Sequence, residues 1–226
     1  MPRASLNPTA RPVSDAPRNG AATRERILDA ATDEFVVYGF SGARIDRIVS
    51  AAACNIRMIY HYFGNKEGLY VAALEKVYAE IREGEQALDL GSLAPLDAIH
   101  RLVDFTFDHF ASQPSFVGMT QNENLVGGRY MARATRISAM SSPLMRTLKA
   151  LLRQGAADGT FRSGIDAFQL YVSVVALSCH HLNNRHTLSV AFGVDMTSRR
   201  WLTQRRAHVR EMILAAVLSP NLRMAP

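Results

Sequence analysis

Apolar residues recur at three- and four-residue spacing through most of the chain, and no run alternates as a half-buried strand would. Ile27, Ala31, Phe35 and Tyr38 form one stripe over about 23–38, and Gly39 then supplies the residue that commonly stops a helix. Ile45, Ile48, Val49 and Ala52 mark a second, short helix. Asn55 sits where an N-cap belongs, and Ile59 and Phe63 give the inward face of a third. Gly64-Asn65 interrupts the chain. Asn65 can cap a fourth helix with Leu69, Ala73 and Val77 on one side and Tyr70, Leu74 and Ile81 beside them.

The remainder is helical by the same pattern. Gly91, Ser92 and Pro95 make a linker before a helix of about 96–111, whose stripe is Ile99, Val103, Phe107 and Phe110. Pro114 opens the next, through Phe116, Met119, Asn122, Glu123 and Val126, until Gly127-Gly128. A helix of about 142–157 turns Leu144, Leu148, Leu151 and Leu152 inward and ends at Asp158-Gly159. From Asp166 to His181 the chain is apolar almost all round, which demands burial on every side: one face on its own domain, a second on another copy. The last helix, about 197–218, keeps Leu202, Val209, Ile213 and Ala216 on one stripe. Arg199, Arg200, Arg205, Arg206 and Arg210 lie mostly round its other side. The fold class expected is all-α. A helix-turn-helix domain is expected over 22–66 and a helical dimerisation domain, with room for a ligand-binding core, over 67–226.

The short pair 45–63 can bury only one face, so the outer face of its second helix is free. That face carries Asn55, Ile56, Arg57, Tyr60 and His61 and no carboxylate, which suits base edges and phosphates. Net charge sharpens this. The chain is +6 overall, and between Arg44 and Lys66 the basic residues Arg44, Arg47, Arg57 and Lys66 face Asp46 alone. Residues 1–21, with Pro2, Pro8, Pro12 and Pro17, read as a disordered arm made basic by Arg3, Arg11 and Arg18. It is either an inert tail or an arm laid in the minor groove.

These residues carry a family resemblance. Gly39-Phe40, the Ile45 and Ile48 core, and above all Ile59-Tyr60-His61-Tyr62-Phe63-Gly64-Asn65-Lys66-Glu67-Gly68-Leu69 resemble the DNA-binding domain of TetR-family transcriptional regulators. The resemblance covers roughly a quarter of the chain. Two features depart from it: Ala53 stands where the turn usually has Gly, and Ala43 and Arg44 stand where a small residue and a hydroxyl usually open the second helix. The resemblance implies phosphate contacts at Tyr60, His61 and Lys66. It also implies a homodimer through the final helices, and a C-terminal cavity whose ligand changes the spacing of the reading heads. The charge of Arg44 suggests a phosphate contact in place of the hydroxyl's.

Other chemistry is sparse. Cys54 and Cys179 stand far apart, which argues for a reducing, cytoplasmic setting without disulfides. No apolar run reaches a membrane span, and no signal peptide opens the chain. No nucleophile elbow, phosphate loop or metal-spaced cluster occurs, so no enzyme, cofactor or metal is expected. Phe110, Met119, Asn122, Tyr171 and His180 lie on or beside apolar stripes and are expected to enclose a small organic effector. Val174, Val175, Val209 and Ile213 are the expected dimer contacts. Two functions follow: a repressor released from a double-stranded DNA operator by its effector, or a constitutive architectural DNA-binding dimer. Polar groups embedded in apolar helices favour the first.

Overall fold

Helices with one apolar stripe must bury it on other helices, and the structure is built that way throughout. The computed structural model describes residues 16–223; residues 1–15, which hold most of the expected arm, lie outside the described residues. The helices are α1 (Ala16–Gly42), α2 (Ile45–Ala51), α3 (Ile56–Phe63), α4 (Lys66–Ala87), α5 (Pro95–Ser112), α6 (Pro114–Leu125) and α7 (Thr135–Ala157). After these come α8 (Ala167–Asn183), α9 (Arg185–Phe192), α10 (Arg199–Val217) and the single turn α11 (Pro220–Arg223). Two 3-10 turns, Leu90–Ser92 and Met131–Arg133, join them.

The first helix begins at Ala16, so residues 16–21 of the expected arm belong to α1. Pro17 fits there because the first turn of a helix has no use for its missing N–H. Gly39 breaks α1 as expected, with φ 64 and ψ 179, but the chain resumes helical hydrogen bonding as far as Gly42. The seventh helix starts about two turns before Ser142, runs through Pro143, and puts Ile137 in a core. The short α9 was not expected from the pattern.

Two cores result. In the first, Ile27, Phe35, Ile48, Ile59, Leu69, Tyr70 and Leu74 pack with Met119, Tyr130, Ala134 and Ile137, which come from far along the chain. The boundary expected at residue 66 therefore cuts through a shared core. In the second, α5 is wrapped by α7, α8 and α10, and Leu102, Val103, Phe107, Leu148, Val174, Val209 and Ile213 are buried together. That corrects the dimer residues. Val174, Val209 and Ile213 are at most 2% exposed within one chain and face its own core. Val175 is half-buried toward α6. The apolar side chains left outside are Phe168 and Val172 on α8 and Met212 on α10. A helix apolar all round carries no phase of its own, so its packing against α5 chose the inward side. The arginines of α10 are not idle either: Arg206 reaches Asp108 at 2.7 Å and Arg210 reaches Asp104 at 3.4 Å, both on α5.

His181 on α8 is buried, stacked on Phe107 with ring centroids 5.4 Å apart, and neither ring nitrogen has a partner among the described residues. Burial, helped by the nearby Arg205 charge, pushes its pKa down to about 4. Between an ordinary histidine value of about 6.5 and about 4, the unfolded chain takes up a proton that the folded chain refuses. This contribution is therefore complete above that window and is lost as pH falls through it. Denaturant melts of His181→Phe at about pH 5 and about pH 7 should differ less than those of the wild type. Equal pH dependence in the two proteins would assign the effect elsewhere.

Candidate nucleic-acid interface and effector cavity

The reading head is assembled from local devices, each visible in a side chain. Glu34 of α1 fastens α2: its carboxylate accepts the Arg44 N–H at 2.8 Å and the Arg47 Nε at 2.8 Å. The Arg47 hydrogen bond holds the Glu34 carboxyl below its usual range. Arg47 also donates to the Gly42 carbonyl at 2.9 Å and lies 4.2 Å over the Tyr38 ring, so this cation supports the head from within. After α2 the chain turns at Ala53, whose φ of 46 is the left-handed conformation that a glycine would adopt freely. Asn55 then caps α3, its Oδ1 accepting the Arg57 N–H at 2.9 Å.

The end of α3 explains its sequence. Gly64 takes φ 74, and Asn65 caps α4 by accepting the Gly68 N–H at 2.8 Å. A Cβ at Gly68 would overlap the Phe63 carbonyl oxygen, so α3 and α4 approach as closely as they do only because residue 68 has no side chain. Ile59 is buried, whereas Ile56, Arg57, Tyr60 and His61 are exposed. Among the described residues the Arg57 guanidinium has no ion-pair partner. Arg44 is exposed but paired to Asp46 at 3.1 Å. Lys66 is half-buried, with Nζ 4.8 Å from the Phe40 ring centre, and this burial lowers its pKa.

Behind the head, α4, α5, α6 and α8 line a cavity of about 480 Å³ that is open to solvent on the side of Phe168 and Val172. Phe110 and Tyr171 line it as expected; Met119, Asn122 and His180 do not. Met119 is wholly buried in the first core. Asn122 is turned to α1, where its Nδ2 donates to the carbonyls of Phe35 at 2.8 Å and Val36 at 3.2 Å beside the Gly39 break. Its polar group on an apolar stripe is thus satisfied by backbone. His180 is exposed and lies 3.3 Å from the Asn184 amide. The lining residues not foreseen include Tyr78, Arg82, Val117 and Thr120. Arg82 is buried and ion-paired to Glu85, with its guanidinium carbon 5.4 Å from the Tyr171 ring centre. The Tyr171 hydroxyl donates to Glu85 at 3.4 Å, and burial pushes its pKa up to about 12. Two charged residues in phase with Tyr78 and Ile81 on one stripe were the available signal.

This geometry coincides with two sequence families. Residues 27–73 match "Bacterial regulatory proteins, tetR family", and residues 95–213 match "Tetracyclin repressor-like, C-terminal domain". The chain belongs to the TetR family. Among its relatives, the HTH-type transcriptional repressor NicS of Pseudomonas putida is 36% identical over 185 residues, covering 80% of this chain and 87% of that one. The HTH-type transcriptional repressor SCO4008 of Streptomyces coelicolor is 32% identical, covering 72% and 80%. Solved structures share the fold. The transcriptional regulator SCO4942 from Streptomyces coelicolor superposes with a TM-score of 0.66 at 23% identity, covering 88% of this chain and 99% of that one. FadR from Bacillus subtilis, solved with stearoyl-CoA, gives 0.65 at 16%, covering 85% and 98%. As a TetR-family member the protein is a DNA-binding transcriptional regulator. No helix among the described residues is long and apolar enough to cross a membrane.

Ala53 holds its left-handed turn at a cost of about 1 kcal/mol relative to glycine. Ala53→Gly should therefore raise the stability of the protein by about that amount in chemical denaturation. A loss of stability would mean that the methyl group packs usefully enough to offset the strain.

Proposed function

We propose that the protein is a repressor that occupies its operator as a homodimer and leaves it when a small organic effector fills the cavity. The observation that carries this reading is the double duty of α4. Its first residues, Lys66 and the capping Asn65, fix the end of α3, and its later residues Tyr78 and Arg82 form a cavity wall. Lys66 and Arg82 are separated by roughly 24 Å of helix at about 1.5 Å per residue. A ligand that favours one placement of α4 thereby favours one placement of the reading head, and the two equilibria are coupled. A purely architectural dimer has no use for such a cavity.

In this reading Arg57 contacts a guanine edge, with Ile56 and Asn55 beside it. Tyr60, His61 and Lys66 hold phosphates, and the Arg44 guanidinium reaches one while it remains paired to Asp46. Arg57→Ala should cost about 1–3 kcal/mol on an operator selected from random duplexes and relax preference at one base pair. Lys66→Ala should weaken binding to every sequence and reduce the salt slope by about one phosphate. Equal losses for Arg57→Ala on operator and random DNA would make it a phosphate contact.

The homodimer is formed in this reading by α8 and α10, where Met212 stands exposed on α10 and Phe168 and Val172 stand exposed on α8 along the rim of the cavity. Met212→Arg should leave the chain folded, since that side chain is 45% exposed, but split the dimer and weaken operator binding by roughly a hundredfold. Light scattering that finds the wild type monomeric, or the variant still dimeric, would remove this interface. Ile213→Arg, by contrast, would put a charge into the chain's own core.

A further inference from the structure

We propose that the effector is a compact aromatic carboxylate, held by its acid group on Arg82 with its ring between the aromatic walls of the cavity. This rests on the reading of the cavity as the effector site. Among the described residues Arg82 is the one charged side chain in the lining; its counter-ion Glu85 lines a separate, smaller recess that Arg82 also borders, and not the cavity itself. Seen from the cavity, the ligand meets a buried cation and no carboxylate.

That cation also has unused capacity. Glu85 is bound at Nη1, and the Arg82 Nε is buried without an acceptor among the described residues. A guanidinium presents its donors in a planar fork that a carboxylate matches with two parallel hydrogen bonds, and a buried donor left unpaired is costly. An incoming carboxylate satisfies the free edge and competes with Glu85 for the charge.

The walls select the other half of the ligand. Phe110 and Phe116 stack at 5.3 Å with planes 20° apart, and Tyr78 meets Phe116 at 4.9 Å. Flat ring faces favour a flat apolar partner at stacking distance. Thr120 and Asn124 of α6 also line the cavity and suit a ring hydroxyl or heteroatom. A volume of about 480 Å³ suits a small acid of one or two rings.

The test is calorimetric titration of the full chain with three probes: 2-naphthoate, its neutral isostere 2-naphthamide, and decanoate. The wild type should bind naphthoate at least roughly tenfold more tightly than naphthamide or decanoate. In the double variant Arg82→Gln with Glu85→Gln, which removes both charges together, the preference for the acid should vanish while naphthamide binding persists. Equal binding of acid and amide to the wild type would overturn the proposal with no variant needed, as would an acid preference that survives the double substitution. Decanoate binding as tightly as naphthoate would overturn its aromatic part. Val117→Trp, which fills the cavity, separates the two layers of argument. If both naphthyl probes bind equally and Val117→Trp blocks them, the cavity stands and the acid falls; if neither probe binds the wild type, both fall.

Discussion

The packing of Tyr70 is the contact on which the rest of the structure depends. This ring is fully buried near the start of α4, edge-on to Phe35 at 4.8 Å and to Phe40 at 5.4 Å, both carried by α1. Tyr130, from the loop after α6, closes the cluster at 5.0 Å from Tyr70. Tyr130 is placed in turn by the Glu123 carboxylate, which accepts its N–H at 2.6 Å and that of Met131 at 2.8 Å. A charged acceptor on two backbone donors is a strong, directional tie. The reading head therefore shares its core with the larger domain instead of hanging from a linker.

From that junction two helices carry structure toward the cavity. The first is α4, running from the Asn65 cap to Arg82 and Glu85. The second is α6, whose two sides serve two ends of the molecule. Phe116, Val117 and Thr120 line the cavity, while Asn122 holds the α1 carbonyls and Gly118 lets Val36 approach where a Cβ would overlap it. Close-packed helices transmit small displacements as rigid bodies because the core has no slack to absorb them. A change in the cavity wall is thus also a change in the seat of α1, the helix that fastens α2 through Glu34.

Much of this was legible in the chain. The caps at Asn55 and Asn65, the stop at Gly39 and the exposed α3 face with Arg57, Tyr60 and His61 are local matters, decided by a few residues in a row. Helical stripes placed most elements to within a turn. The failures have a common cause. Asn122 and His180 were assigned to the cavity because a polar group on an apolar stripe needs a partner; the partners are the α1 backbone and Asn184. Need for a partner is a local fact, but the identity of the partner is not.

The amino-acid sequence by itself determined an all-helical chain, a helix-turn-helix head with a basic, carboxylate-free outer face, and the family to which both belong. Those properties follow from helix periodicity, capping and charge, which act over one or two turns. Only the tertiary structure decided which side of α8 faces inward, that the head and the larger domain share one core, and that Arg82 is the charged residue of the cavity. Each depends on the rotation of one helix against others far away in the chain. A stripe sets that rotation only when it is narrow: α8, apolar all round, was turned by its neighbours, and Arg82 was buried against the Tyr171 ring of α8 and by its own ion pair with Glu85.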